Sequence, residues 1–310
     1  MPRSPLTVVL LVVAGHSAAV APAGATPPAE PAAMTQTETH ALEADWNAWH
    51  AERIERLSAE DGWLTLVGLD FLDEGKTTIG AGEKADLRYE GLGVDLAGTF
   101  TKSGDTVRFV AAPGAAMTMN GMPVDSVTLT EDQGPESYLR SGTVSVALVR
   151  RNDALALRVR DNASPVRLHF KGVERYAFDP ALRVTARIER HEKGETMAVT
   201  NVLGYTADAP RDATLVFDLD GQERRLDAQG TFDSLFVVFG DTTNGAETHG
   251  GGRFLYVKID EGDTAIVDFN RAYNPPCAFT AYSTCELPTA NNRLPIPIRA
   301  GEKAVKSSEQ

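Results

Sequence analysis

Residues 235–239 read Leu235-Phe236-Val237-Val238-Phe239, residues 254–259 Phe254-Leu255-Tyr256-Val257-Lys258-Ile259, and residues 264–269 Thr264-Ala265-Ile266-Val267-Asp268-Phe269. Each run is short, rich in β-branched and aromatic residues, and bounded by Gly or Asp, which is the pattern of a β-strand. Taken as consecutive antiparallel strands, they zigzag. The first rises into a long loop, residues 241–253. The second descends to a tight turn, residues 260–263. The third rises again and delivers Asp268, Asn270, Tyr273 and Asn274 to the end where the long loop lies. Asp268 and Asn270 are two apart and share a face, leaving Val267 and Phe269 to the other.

The loop runs from Asp241 through Thr243, Glu247 and His249 to Gly250-Gly251-Gly252-Arg253. Long loops in compact domains often carry function, and consecutive glycines permit close backbone approach. Two chemistries fit this end of the sheet. A binding site for a small polar ligand or a peptide would use Thr243, His249, Arg253, Asn270, Tyr273, Asn274 and Tyr282. A carboxylate-dependent hydrolase would use Asp268 as base with Asp241 or Glu247 as partner acid, since such work needs two differently tuned carboxyls. Arg253 could hold an anionic group. A third reading makes the cluster a hydrogen-bonded lock with no ligand.

Outward from these strands the chain stays mainly β. In the second half, residues 183–188 and 196–199 could pair across Lys193-Gly194. Leu215, Phe217 and Leu219 alternate before the Asp220-Gly221 turn. An antiparallel meander or barrel over residues 166–310 is the simplest arrangement, with a Pro-rich but ordered tail. The first half, residues 63–165, shows short strands and an Asn120-Gly121 hairpin signal. Before it, residues 38–62 read as an amphipathic helix with Leu42, Trp46, Trp49, Ile54 and Leu57 on one face and Gly62 as its stop. Arg3, the apolar run 6–14 and Ala23-Gly24-Ala25 predict a cleaved export signal over residues 1–25. Residues 26–37, with three prolines, read as a disordered leader. The expected location is periplasmic or secreted.

Residues 63–160 resemble a forkhead-associated-type β-sandwich through Gly75-Lys76-Thr77-Thr78-Ile79-Gly80, Ala85-Asp86-Leu87 and Met119-Asn120-Gly121-Met122-Pro123-Val124. Phosphothreonine-binding members carry Arg after the Ile-Gly pair, where this chain has Ala81, so the resemblance implies the fold alone. Residues 268–279, Asp-Phe-Asn-Arg-Ala-Tyr-Asn-Pro-Pro-Cys-Ala-Phe, together with Tyr282, Cys285, Asn292-Arg293-Leu294-Pro295 and Ala300-Gly301-Glu302-Lys303, closely resemble a bacterial family of unknown function, DUF1684. Earlier pieces, residues 62–69 and 239–243, agree with it, which extends the resemblance over nearly all of the chain after the signal. That family implies no activity.

The two cysteines, Cys277 and Cys285, would close a short disulfide in an oxidising compartment. The sharper alternative is a metal held with His249 or Asp268, but the spacing matches no standard zinc site. No nucleophile elbow, phosphate loop or dinucleotide fingerprint is present, so no cofactor is expected. The six histidines are scattered. A net charge of −13 argues against nucleic acid and anionic lipid as partners. No segment after the signal is apolar enough to enter a membrane.

Overall fold

The computed structural model describes Met1 and residues 34–231, 233–260 and 262–305. The expected export signal, beyond Met1, and the leader as far as residue 33 lie outside the described residues. The chain is mainly β behind one long N-terminal helix.

That helix spans Gln36–Ser58, beginning two residues ahead of the expected start. The reason is a capping box. The Thr35 hydroxyl accepts from Glu38 N, and the Glu38 carboxylate accepts from Thr35 N. Of the expected apolar face, Trp46 and Leu57 are buried, and Arg53 takes the third buried position. Glu52 and Arg56 pair at 3.5 Å on the wet side. His50, also on this helix, is lowered to about 4 by burial and by the nearby Arg175 and Arg53. The unfolded chain therefore takes up a proton at this residue before the folded one does. Stability is expected to fall as pH drops from about 6.5 towards 4. His50→Gln should flatten that part of a urea-midpoint profile against pH.

Residues 66–161 form a sandwich. One sheet orders its strands Leu66–Phe71, Ala154–Asp161, Val144–Arg151, Leu139–Ser141, Thr118–Met119 and Met122–Pro123. The facing sheet orders Leu87–Arg88, Gly75–Gly80, Gly98–Ser103, Thr106–Ala111 and Ser126–Thr128. Ile79, Phe100, Phe109, Val146, Leu157 and Val159 fill the space between them. Asn120 and Gly121 both take positive φ, 48° and 71°, closing the expected tight hairpin. The strand Val144–Arg151 departs from alternation, because Val144 to Val149 are buried on both faces. On its outer side Ser145 Oγ donates to Asp61 Oδ1 at 2.7 Å, and the second half of the chain meets this sheet at the following turn and the edge strand, where Asn201 Nδ2 donates to Asn152 Oδ1 at 2.8 Å and Thr280 Oγ1 to Leu66 O at 3.3 Å.

The second half curls six strands into a nearly closed barrel, in the order Arg253–Lys258, Ser234–Phe239, Gln222–Thr231, Ala213–Leu219, Arg183–Arg190 and Thr264–Asp268. The zigzag is only half realised. Arg253–Lys258 pairs fully with Ser234–Phe239, whereas Thr264–Asp268 pairs with Arg183–Arg190. Among the described residues, the bridges Ile259↔Ala265 and Phe254↔Tyr273 and a bond from Asp260 N to Thr264 O join the two ends. Closure decides this, since curling brings the last strand to the far edge and removes an exposed strand edge. Thr196–Thr200 does not join Arg183–Arg190 but folds on Thr206–Pro210 as a separate hairpin. The barrel interior is apolar, with Phe217, Phe239 and Phe269 in edge contact. The Pro-rich tail is an ordered wrap. Leu294 and Ile298 are buried, and Leu294 N donates to Gly240 O at 2.8 Å.

Candidate functional site

The long loop and the segment after the last strand do meet. Phe254 and Tyr273 exchange two backbone hydrogen bonds of 2.9 Å, and Cys277 Sγ lies 3.5 Å from His249 Nε2. Gly252, at φ 85°, permits the approach, since a Cβ there would sit 2.5 Å from Pro288 Cγ. Most of the residues gathered at this end face inward. Arg253 is 0% exposed; its Nη2 donates to Asp241 Oδ2 and to Ile298 O, both at 2.8 Å, and its Nη1 to Ala300 O. Asp241 Oδ1 accepts from Thr243 N and Oγ1 at 2.8 and 2.6 Å and from Ile298 N at 3.2 Å. Asn270 is tied to both backbone groups of Asp179 at 2.9 Å, and Asn274 Nδ2 donates to Lys303 O at 2.7 Å. Thr243, Asn270 and Asn274 are all buried, so they hold loops together and offer no surface to a ligand.

The two acids proposed as partners for Asp268 are each held by an arginine of their own. Asp241 is inside with Arg253. Glu247 is bound at the surface by Arg299 at 2.8 Å and by the Tyr176 hydroxyl at 2.9 Å, which hold its pKa low. Asp268 itself caps a short turn by accepting from Asn270 N at 3.1 Å. Its other oxygen lies 3.7 Å from Arg271 Nε and 3.9 Å from Arg183 Nε. Tyr282 is at the surface. The expected disulfide is not formed: Cys277 and Cys285 are both free thiols. Cys285 Sγ instead accepts from Cys277 N at 3.2 Å, and a hydrogen bond from the Cys277 side chain lowers the Cys285 pKa. Among the described residues no three His, Cys, Asp or Glu side chains gather closely enough for a metal ion.

The open site is on the barrel's outside. Period two sends Leu235, Val237, Leu255 and Val257 into the core, so Phe236, Phe254 and Tyr256 point outward. Tyr273 stacks on Tyr256 at 6.2 Å with planes 15° apart, and Phe254 meets Phe236 edge-on at 5.0 Å. The N-terminal helix forms the opposite wall through Trp49, Arg53 and Leu57, and Trp63 closes one side. The space between holds about 320 Å³. Arg53 lies against Tyr273, its Cζ 4.6 Å from the ring centre. Trp46 plays a different part: its Nε1 donates to Asn270 O at 2.7 Å and pins the helix. Trp49, Tyr256 and Tyr273 also line a second, wider hollow of about 610 Å³ that reaches Asp268 and Asp45. Of these walls only Tyr273 was named as a binding residue from sequence. The signal for the others was in the strands, where residues 236, 254 and 256 are aromatic at positions that alternation sends to water.

Comparison with known proteins identifies the second half. Residues 168–303 match the family described as "Protein of unknown function (DUF1684)". The match does not extend to the earlier pieces at residues 62–69. An uncharacterised protein of Haloarcula marismortui, solved in solution, is 35% identical over 44% of this chain and 78% of its own, with a TM-score of 0.37. The chain is also similar to forkhead-associated domains over about a third of its length. One, from a study of phosphothreonine-dependent interactions, is 21% identical over 31% of this chain and 96% of its own, TM-score 0.22. Another, the FhaA domain in a complex, is 20% identical over 30% and 97%, TM-score 0.22. No curated protein matches the sequence. Through residues 168–303, the chain belongs to the DUF1684 family of proteins of unknown function.

Proposed function

We propose that this protein binds a small ligand with a flat or apolar body in the trough between the N-terminal helix and the outer face of the barrel. The carrying observation is the wall of Phe236, Phe254, Tyr256 and Tyr273 facing Trp49 and Trp63 across about 320 Å³. A volume of that order, with aromatic lining and a few polar groups, is what small-molecule sites have. The outer face of a strand pair normally carries polar side chains, so three aromatics there, with Tyr273 stacked beside them, ask for a partner. The export signal expected over residues 1–25 would place this binding outside the cytoplasm.

The test uses the two tryptophans of the trough as reporters. Small aromatic compounds are expected to change intrinsic tryptophan emission and raise the melting temperature. Tyr256 is 62% exposed, so Tyr256→Ala, which gives up the stack on Tyr273, should lower the ligand-free melting temperature only slightly. Losing its ring contact should weaken binding roughly 2- to 10-fold. No emission change with any compound of this class, or equal affinity in the variant, would count against the trough.

A further inference from the structure

The trough does not end at Trp63. Trp63, Phe236, Phe254 and Pro276 also line an adjoining hollow of about 230 Å³ that runs between the sandwich and the 283–286 segment. Arg151 and Arg158 stand in its wall. Their placement follows from strand geometry. Along Ala154–Asp161, Leu155, Leu157 and Val159 enter the sandwich core, which leaves Arg158 and Arg160 on the outer face. Trp63, Tyr138 and Asp132 pack against these two side chains, and Arg158 is 6% and Arg160 7% exposed.

These buried guanidinium groups share too little counter-charge. One carboxylate, Asp132, serves both, at 4.0 Å from Arg158 Nη1 and 3.9 Å from Arg160 Nη2. Arg158 Nε and Arg160 Nη1 are buried with no hydrogen-bond partner. Asp61, the next acid, feels Arg160 but accepts its hydrogen bonds from Arg140 and Ser145 Oγ. Glu286 also lines the hollow, with Oε2 accepting from Gln229 Nε2 at 2.8 Å. Burial, with Arg151 and Arg160 nearby, pulls Arg158 down to about 10. In a chain of net charge −13 this is a local excess of positive charge, kept from water beside an aromatic trough. Burying an unpaired cation is costly, and a guanidinium fork matches a carboxylate or phosphate.

We infer that the ligand of the trough carries a carboxylate or phosphate group, held by Arg158 and Arg151, while its flat body lies along Trp63 and Phe254. This rests on the binding reading above and narrows its ligand class. The probes are benzoate, phenyl phosphate, the neutral benzyl alcohol and inorganic phosphate, titrated by tryptophan emission and calorimetry. One or both aromatic anions should bind roughly 10- to 100-fold more tightly than benzyl alcohol. Which of the two binds better separates a carboxylate from a phosphate ligand. Arg158→Met and the half-buried Arg151→Gln should each reduce that preference at least several-fold. Without ligand, Arg158→Met should melt at a higher temperature than wild type, because it removes an undercompensated buried charge.

Equal binding of anionic and neutral aromatics would overturn the anion site and leave the trough standing. Binding of inorganic phosphate with no gain from an aromatic body would support the arginines and remove the trough. A melting temperature lowered in Arg158→Met, with anion preference intact in Arg151→Gln, would make the arginines structural and overturn the inference.

Discussion

Asp241→Ala is expected to destabilise the protein by about 3–5 kcal/mol, measured as a shift of the urea midpoint at constant slope. The Arg253 and Asp241 side chains are both 0% exposed. Removing the carboxylate leaves a buried guanidinium with only the carbonyls of Ile298 and Ala300. It also leaves Thr243 N and Ile298 N without their acceptor. The loop 241–253 and the C-terminal wrap would lose their common anchor. The size of the loss belongs to the broken pair and is not the net worth of the intact one. Replacing both partners together, as Asp241→Leu with Arg253→Met, should therefore recover much of the stability. A double variant as unstable as the single one would show that the hydrogen-bond geometry, rather than an orphaned charge, governs the effect.

Glu302→Ala should have a cost of the same order, about 3–5 kcal/mol, with a different signature. Glu302 is buried where the helix, the post-strand segment and the C-terminal tail converge. One oxygen accepts from Arg53 Nε at 3.1 Å and the other from Asn274 N at 2.7 Å. Arg53 Nη2 in turn donates to Asn274 O at 2.9 Å. Without Glu302, Arg53 loses its paired carboxylate, and the helix retains Trp46 and the packing of Leu57 as its main attachments. The helix is one wall of the trough, so the variant should lose ligand-induced tryptophan changes before it loses barrel structure. Limited proteolysis should cut first near Arg53 and Arg56, while far-UV circular dichroism still reports an intact β fold. A single cooperative loss of both signals would mean that helix and barrel are one folding unit.

Much of the fold was legible locally. The barrel strands at residues 235–239, 254–259 and 264–269 announce themselves by alternation, and the structure places strands at Ser234–Phe239, Arg253–Lys258 and Thr264–Asp268. Asn120-Gly121 specified its turn because few other residues adopt two successive positive φ values. The helix start was missed by two residues because the capping box of Thr35 and Glu38 lay inside a stretch dominated by prolines upstream. The pairing of Thr264–Asp268 was not legible, because residues so far apart in sequence meet only through closure of the whole sheet.

The site was harder. Polar residues concentrated in the loop and in the segment after the last strand drew the reading to Asp241, Arg253, Asn270 and Asn274, all of which the fold buries. Period two already placed Arg253 on the face of Leu255 and Val257, and followed one strand position further it would have sent Arg253 inward. The same count sent Phe236, Phe254 and Tyr256 outward.

From the sequence alone came the strand periods, the long helix, the hairpin turns and the kinship carried by the signature at residues 268–303, because each depends on residues close together or on an identity pattern. The tertiary structure decided which polar groups are buried, where the barrel closes, and that a helix from residues 36–58 stands over strands some 200 positions later to make a trough. The physical reason is that backbone geometry sets a side chain's direction locally, while its burial depends on what distant segment of chain comes to cover it.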